Sequence, residues 1–258
     1  MRTNSPMSEG LDRPGASPAF DVLEGGTDAA SMLIFDPGAL PEDYDARARQ
    51  DPIEFIEPLA TAGRLYWLDT AADGGYSLGL CVGRPLPPEM VQFAKLAGDA
   101  GRFSAPSGRV YFTGIEYAFR RDDTFLRKHP HMGACREVPP GEYHLRLFEM
   151  IYPEDFHEEL LRASLRPGTF HLYSLMNSLI PIGCIAALAL VASAFWLGLR
   201  LWCTTVLPLA LALMLPGIAV SRTRTYREAR RLDQAIRRRY PDYLATLEPA
   251  GDRSVAAL

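Results

Sequence analysis

The feature that most constrains this chain is an apolar stretch of 49 residues, 172–220, whose only charged side chain is Arg200. About 20 apolar residues are enough to cross the hydrocarbon core of a bilayer. The stretch is therefore long enough for two spans, at about 174–197 and 201–220. A buried helical hairpin in a protein core is the alternative, but such helices usually carry a polar face. The sequence predicts a C-terminal transmembrane helical hairpin.

Basic residues flank this predicted hairpin. Eight arginines follow it within residues 222–239, where only Glu228 and Asp233 are acidic, whereas the turn between the spans has Arg200 alone. Positively charged flanks stay on the cytoplasmic side of a membrane. The sequence therefore predicts a two-span, multi-pass protein of the bacterial inner (cytoplasmic) membrane, with both termini in the cytoplasm.

The arginine-rich segment is predicted to form a helix on the membrane surface. Its apolar residues recur at helical spacing from Ala229 to Tyr240, and Pro241 ends the run. Each arginine near an anionic membrane surface contributes about 1 kcal/mol of binding free energy. The residues predicted to contact the membrane surface are Arg222, Arg224, Arg227, Arg230, Arg231, Arg237, Arg238 and Arg239. Nucleic acid binding is the alternative, but the position beside an apolar span favours the bilayer, so no nucleic acid partner is expected.

Charge separates the chain into an acidic part and a basic part. Residues 1–171 hold 26 acidic and 17 basic residues, a net charge of −9, whereas residues 221–258 hold 5 and 9, a net charge of +4. The first 30 residues are rich in proline, glycine and serine and carry no signal sequence. The predicted organisation is a flexible leader at 1–30, a soluble β-rich domain at 31–165, the hairpin at 172–220, a basic cytoplasmic helix at 221–247 and a tail at 248–258.

The residues between leader and hairpin are typical of strands separated by turns. Strands are predicted at 64–68, 76–82, 109–119 and 142–152, and helices at 87–98 and 155–166. Asp73-Gly74-Gly75 lies between the first two strands and predicts a β-hairpin. The predicted fold class is a mainly β domain, either an antiparallel sandwich or a small barrel, followed by the two-helix transmembrane hairpin and the basic helix.

Candidate catalytic and metal-binding residues are few. His129 and His131 lie near Cys135, but a metal site needs three or four convergent ligands. Asp122 and Asp123 could act as general acid and base, yet an acidic pair after two arginines is more typical of a solvated turn. Glycine-rich phosphate loops and nucleophile motifs are absent from the sequence. The sequence therefore predicts no catalytic, metal or cofactor-binding residues, no cofactor and no enzyme activity.

Residues 64–153 carry an ordered set of motifs. An aromatic strand with Trp67 is followed by DGGY at 73–76, SGRVYFTGIEYAF at 107–119 and VPPGEYHLRLF at 138–148. This order resembles the β-sandwich of the competence nuclease-inhibitor (ComJ-like) group and related bacterial toxin-immunity domains, which end in a similar Pro-Pro-Gly-x-Tyr turn and strand. The resemblance implies a protein that neutralises another protein by binding it. It assigns no inhibitory residues.

These observations lead to one main functional hypothesis and two alternatives. The main hypothesis is a membrane-anchored, cytoplasm-facing protein-binding module, with neutralisation of a bacterial toxin as its most specific form. The first alternative is a structural or scaffold subunit of an inner-membrane complex. The second is a membrane-bound hydrolase that uses His129, His131 and either Asp122 or Asp123. The expected partners are the lipid bilayer and a protein, either a toxin or a subunit of a membrane complex.

Overall fold

The computed structural model describes residues 20–50, 52–192 and 219–251. The chain divides into two compact units. The sheet unit is formed by the residues up to Ile151 together with those from Pro241 onward, and the helix unit is Tyr152–Tyr240. The helix unit is thus inserted into the sequence of the sheet unit.

The sheet unit contains nine strands among its described residues. They are β1 (Asp21–Thr27), β2 (Ser31–Phe35), β3 (Leu65–Asp69), β4 (Gly74–Val82), β5 (Ala94–Ala105), β6 (Arg109–Gly114), β7 (Gly133–Glu137), β8 (Gly141–Met150) and β9 (Tyr243–Pro249). Its α-helices are α1 (Tyr44–Ala48), α2 (Pro52–Thr61), α3 (Pro88–Val91) and α4 (Thr124–Lys128), and short 3-10 helices lie at Pro37–Ala39 and Ile115–Tyr117.

The strands form two sheets. The first sheet has five strands in the order β1-β4-β9-β8-β5, and the second has four in the order β3-β2-β6-β7. All neighbouring strands are antiparallel except β4 and β9, which are parallel. A parallel pair requires a long crossover connection. Here the connection between β4 and β9 includes the whole helix unit.

One apolar core contains side chains from both sheets. On β8, Tyr143, Leu145 and Leu147 are buried in this core, while His144 and Arg146 alternate with them. Successive side chains of a strand point to opposite faces of the sheet. The alternation therefore gives the first sheet an apolar inner face and a polar outer face.

Strand β2 of the second sheet is buried on both faces. Met32 and Ile34 of β2 join the core shared by the two sheets, whereas Leu33 and Phe35 pack with Tyr44 of α1 and with residues of α2 in a second cluster. A strand that is buried on both faces has a continuous apolar sequence rather than an alternating one. This explains the unbroken run of apolar residues in β2.

A buried carboxylate joins the end of β2 to the turn between β5 and β6. Asp36 is fully buried and accepts hydrogen bonds from the backbone N–H groups of Gly38 at 2.7 Å, Ser107 at 3.0 Å and Arg109 at 3.2 Å. The Ser107 hydroxyl also donates to Asp36, at 2.5 Å. Because buried polar groups must be hydrogen-bonded, this arrangement fixes both segments at once.

The helix unit contains α5 (Phe156–Ser164), α6 (Pro167–Ala192) and α7 (Arg224–Arg239). Its buried core consists of Leu161, Phe170, Tyr173, Tyr226, Ala229 and Ile236. Two tyrosine hydroxyls join α6 to α7: Tyr173 donates to Asp233 at 3.0 Å, and Tyr226 donates to Asn177 at 3.1 Å. Both apolar packing and side-chain hydrogen bonds therefore hold these two helices together.

The predicted transmembrane hairpin is contradicted. Among the described residues, no helix has the length and apolarity needed to cross a membrane. Residues 174–192 of the first predicted span belong to α6, whose N-terminal part packs Phe170 and Tyr173 into the helix unit core. Within the span itself Met176 packs against this core, whereas Leu175, Ile185 and Leu188 are exposed. Residues 193–218, which hold most of the remaining hairpin, lie outside the described residues.

The inner-membrane location predicted from this hairpin is contradicted by the same finding. The predicted fold class, a mainly β sandwich or barrel with a membrane hairpin, is also wrong, because the chain has a mixed α/β fold with two sheets. Helices α1 and α2, which cover the outer face of the second sheet, were not predicted. Pro58 lies inside α2 and weakens its helical sequence signal.

Local predictions differ from the structure in two further places. The strands at 64–68 and 76–82 do not form a hairpin, because β3 pairs with β2 in the second sheet and β4 pairs with β1 and β9 in the first. The helix predicted at 87–98 is limited to Pro88–Val91, and β5 begins at Ala94. Local turn signals do not specify which strand a segment pairs with, since pairing depends on residues far away in sequence.

Candidate binding surfaces

The arginines selected from the sequence lie on α7 or directly before it. Thr223 caps the helix by accepting a hydrogen bond from the backbone N–H of Tyr226 at 3.3 Å. Tyr226, Ala229 and Ile236 are buried on one side. Arg222, Arg224, Arg227, Arg230, Arg231, Arg237 and Arg238 are exposed, and Arg239 is half-buried. The helix therefore presents most of its positive charge to solvent.

Acidic residues on α7 neutralise part of this charge. Arg224 pairs with Glu228 at 2.7 Å, and Arg237 pairs with Asp233 at 3.4 Å. Asp233 also accepts the hydrogen bond from Tyr173 described above, so its position is fixed by the core of the helix unit.

Three arginines in the middle of α7 have no such partner. Arg227, Arg230 and Arg231 are exposed, and none of them forms an ion pair within the part of the chain that the structure describes. With about 100° between successive residues of a helix, these three positions and Gln234 share one side. We call these four residues the arginine face. Arginine presents a planar set of five donors that matches carboxylate and phosphate groups, so this surface suits an anionic partner.

A cleft of about 300 Å³ lies in the sheet unit. It is formed where β1 of the first sheet runs beside β7 of the second. At one end these strands are joined by a hydrogen bond from the Gly26 N–H to the Met132 carbonyl at 3.1 Å. Towards the other end Asp21 pairs with Arg136 at 2.9 Å. The residues that line the cleft are Phe20, Asp21, Leu80, Val82, Arg84, Arg136, Glu137, Val138 and Pro139.

The outer face of the first sheet carries a row of charged pairs. His144 contacts Asp99 at 3.0 Å, and Arg102 pairs with Glu142 at 2.9 Å. Arg146 forms a further pair with Glu248. The hydrogen bond from Arg102 lowers the pKa of Glu142. These pairs span adjacent strands, and most of their atoms remain partly exposed, so they are typical of a charged sheet surface.

Cys81, on β4 of the first sheet, is shielded from reagents in solution. Cys81 is buried, and burial raises the pKa of its thiol to about 11, although nearby Arg84 lowers it in part. The thiolate is the nucleophilic form of cysteine. At neutral pH Cys81 is therefore a packing residue and not a nucleophile.

The histidines and aspartates considered for a hydrolase lie in one short segment, where the rings of His129 and His131 are 6.0 Å apart. Asp122 pairs with Arg49 at 2.9 Å, and Asp123 pairs with Arg127 at 3.0 Å. The His129 ring lies 4.5 Å from that of Phe125. Within the residues that the structure describes, no group of three or more histidine, cysteine or acidic side chains is placed to hold a metal ion. Each of the two aspartates forms an ion pair with an arginine, which is the usual role of an acidic side chain on a protein surface.

Comparisons with known proteins give little further information. No protein-family model matches this chain, and no curated protein matches it. A solved structure described as "Crocagin biosynthetic gene J" is similar at 20% sequence identity with a TM-score of 0.34, over 54% of this chain and 78% of that chain. A likeness at this level carries no argument about function.

The sequence indicates the exposed arginines of α7 but not the cleft. Its charged residues, Asp21, Arg84, Arg136 and Glu137, come from three separate parts of the chain. They lie together only because β1 and β7 belong to different sheets that meet at this point. No motif or spacing in the sequence contains that information.

Proposed function

We propose that this chain is a protein-binding module whose arginine face docks on an acidic surface of a partner protein. The observation that carries the proposal is the state of Arg227, Arg230 and Arg231, which are exposed and lack ion pairs among the described residues. The buried side of α7 holds the helix in place. A fixed row of unpaired arginines is a surface on which bidentate bonds to carboxylates can form.

A protein partner fits this surface better than a nucleic acid does. Proteins that bind single strands combine basic residues with exposed aromatic rings on which the bases stack. On α7 the aromatic residue Tyr226 is buried in the core, and Tyr240 directly after the helix is half-buried.

Toxin neutralisation is the most specific form of this proposal. The motif order in residues 64–153 supports it, because the immunity domains that it resembles act by binding another protein. A scaffold subunit would use the same surface, and the phenotype of a gene deletion distinguishes the two forms. Loss of protection against a toxin encoded beside the gene supports neutralisation, whereas full survival of the deletion strain contradicts it.

The docking surface itself can be tested by photocrosslinking. A benzoylphenylalanine residue at Gln234, which is exposed in the middle of the arginine face, should capture the partner in cells. The expected product is a protein adduct at an acidic segment, identified by mass spectrometry. Adducts to nucleic acid alone, or the absence of any adduct in several growth conditions, would contradict the proposal.

Charge reversal then measures how much the arginine face contributes. In the triple variant Arg227→Glu, Arg230→Glu and Arg231→Glu, each reversed charge should cost about 1 kcal/mol, the upper end for an exposed pair. A total of about 3 kcal/mol corresponds to roughly 100-fold weaker binding to the captured partner. The matched control replaces the same three residues with lysine and should lose less, because the charge remains. Equal affinity of the glutamate variant and the unmodified chain would refute the assignment.

A further inference from the structure

The backbone of β3 has one edge that no other strand of the sheet unit uses. β3 is an outer strand of the second sheet and pairs with β2 alone. The Thr70 N–H, directly after β3, donates to the Ala30 carbonyl at 3.0 Å and continues this ladder. Opposite residues of an antiparallel pair are hydrogen-bonded only at every second position, so Tyr66 and Leu68 bond β2. The residues whose N–H and C=O groups point away from β2 are Leu65, Trp67 and Asp69.

Strand β5 lies beside this edge but does not pair with it. The Ser104 N–H donates to the carbonyl of Gly63, just before β3, at 2.8 Å. Farther along, the Tyr66 hydroxyl reaches Gly98, so that a tyrosine side chain lies between the two strands. Within the described residues, no backbone hydrogen bond joins β5 to Leu65–Asp69. β5 also has two breaks in its register with β8, which make it a poor edge for pairing. β3 is therefore the edge on which a further strand can form.

The side chains of β3 differ between its two faces. Tyr66 and Leu68 pack in the core shared by the two sheets, whereas Leu65 packs in the second cluster on the opposite face. Because successive side chains of a strand alternate between the faces, Trp67 and Asp69 share the face of Leu65. Trp67 is 38% exposed, and Asp69 is exposed without an ion pair in the part of the chain that the structure describes. The edge thus presents an indole and a carboxylate two positions apart.

We propose that an extended peptide segment of a partner protein pairs with β3 as an additional, antiparallel strand of the second sheet. Antiparallel pairing matches the rest of this sheet and is slightly more stable per residue than parallel pairing. The central residue of the segment lies opposite Trp67, exchanges both backbone hydrogen bonds with it and packs an apolar side chain on the indole. The residue two positions before the central one lies opposite Asp69 and carries a basic side chain.

A second copy of this chain fits the edge less well than such a segment does. If two β3 edges paired about Trp67, Leu65 of each copy would lie opposite Asp69 of the other. Both carboxylates would then lack a cation. A basic residue at that position requires a different sequence, which is why the proposed occupant is a segment of another protein.

The probe that tests this pairing is an acetylated and amidated heptapeptide, Thr-Lys-Thr-Ile-Thr-Val-Thr. Isoleucine is its central residue, and lysine stands two positions before it. In calorimetric titration of the full chain the probe should bind saturably, with a Kd below about 1 mM. N-methylation of the isoleucine removes the N–H that donates to the Trp67 carbonyl and should weaken binding by about tenfold. The matched control has the methyl group on the following threonine, whose N–H points away from β3, and should bind within about twofold of the probe. Absence of saturable binding, or equal binding of the two methylated peptides, would overturn the proposal.

Residue-resolved hydrogen exchange locates the peptide on the chain. The Trp67 N–H has no acceptor within the described residues and should exchange rapidly in the free chain, whereas the Tyr66 N–H is bonded to β2 and should be protected. Saturating probe should slow exchange at Trp67 and leave Tyr66 unchanged. Protection of the Trp67 N–H in the free chain would mean that the edge is already covered, and protection by the probe on α7 alone would mean that it binds elsewhere. Either result would contradict the proposal.

The variant Asp69→Asn tests the contact with the basic residue. Asparagine keeps the oxygen that accepts the Ala71 N–H, so the turn after β3 should stay intact. Binding of the lysine probe should weaken by about threefold, as expected for an exposed ion pair, and a probe with glutamine in place of lysine should bind both chains equally. The matched control is Asp43→Asn, which changes an exposed carboxylate at the start of α1 and should not alter the binding of either probe. Equal effects of Asp69→Asn on the two probes would refute the assigned register.

Discussion

Replacing the buried carboxylate of Asp36 with a methyl group should strongly destabilise the sheet unit. In the folded chain its two oxygens accept four hydrogen bonds, three of them from backbone N–H groups. Asp36→Ala removes every acceptor and leaves the donors buried. Each unsatisfied buried donor costs about 1–3 kcal/mol.

The net loss is smaller than the sum of four such penalties. A water molecule can enter the space that the carboxylate vacates and bond some of the donors. We therefore expect Asp36→Ala to lower the free energy of unfolding by about 4 kcal/mol, a large part of the 5–15 kcal/mol that holds a typical domain together. Asp36→Asn keeps one acceptor oxygen but turns an NH₂ group towards donors, so it should cost about 2 kcal/mol.

Hydrogen exchange in increasing urea, followed on peptides from β2 and β6, measures this loss in the sheet unit alone. With a urea dependence of about 2 kcal/mol per molar, Asp36→Ala should move the midpoint by about 2 M. The control is Asp43→Ala, because Asp43 is exposed and pairs with Arg47 at 3.4 Å. It should change stability by less than about 0.5 kcal/mol. A loss below about 1 kcal/mol for Asp36→Ala would refute the reasoning.

Three further predictions concern packing, pH and thiol reactivity. A methyl group at Gly79 would lie 2.3 Å from a leucine side chain, whereas one at Gly75 on the same strand would meet nothing closer than 3.9 Å. Gly79→Ala should therefore lower stability by about 1–3 kcal/mol and Gly75→Ala much less, as thermal unfolding can show. The pKa of Glu142 lies below its ordinary 4.5 in the folded chain, so the stability that it contributes is complete above pH 4.5 and is lost as the pH falls through the folded value. The difference in urea midpoint between Glu142→Gln and the unmodified chain should accordingly shrink between pH 6 and pH 3. Because Cys81 is buried with a pKa raised to about 11 and Cys135 is exposed, iodoacetamide should label Cys135 before Cys81 in peptide mass spectra, and the reverse order would contradict the burial argument.

Segments with a strong local pattern were placed correctly from the sequence. The strand predicted at 142–152 is β8, Gly141–Met150, and the helix predicted at 155–166 is α5, Phe156–Ser164. Both segments carry their periodicity within about ten residues, with apolar side chains on one face only. Such a pattern is set by burial of one face against a core, whatever that core is. The local pattern of apolar and polar residues is therefore sufficient to predict these two elements.

The membrane prediction failed on α6. The contacts of this helix with the rest of the helix unit come from Phe170 and Tyr173, which precede the predicted span, and from Asn177, which accepts a hydrogen bond from Tyr226 of α7. Farther along α6 the side chains of Ile185 and Leu188 are exposed. Hydrogen bonds between helices occur in membranes as well as in water, so one polar residue in an apolar segment does not separate the two cases in a sequence.

The strand β9 shows why the sheets could not be derived from the sequence. It follows α7 by a few residues, in a region predicted as the end of a basic helix and a tail, yet it lies between β4 and β8 in the middle of the first sheet. Leu244, Ala245 and Leu247 are fully buried there. Its pairing with β4 joins residues that are about 165 positions apart, as the contacts of Ser77 with Asp242 illustrate. Closing so long a loop costs conformational entropy, which the burial of β9 between two strands must offset. The position of the central strand is thus determined by its contacts with both neighbouring strands. The sequence of its own seven residues does not predict that position.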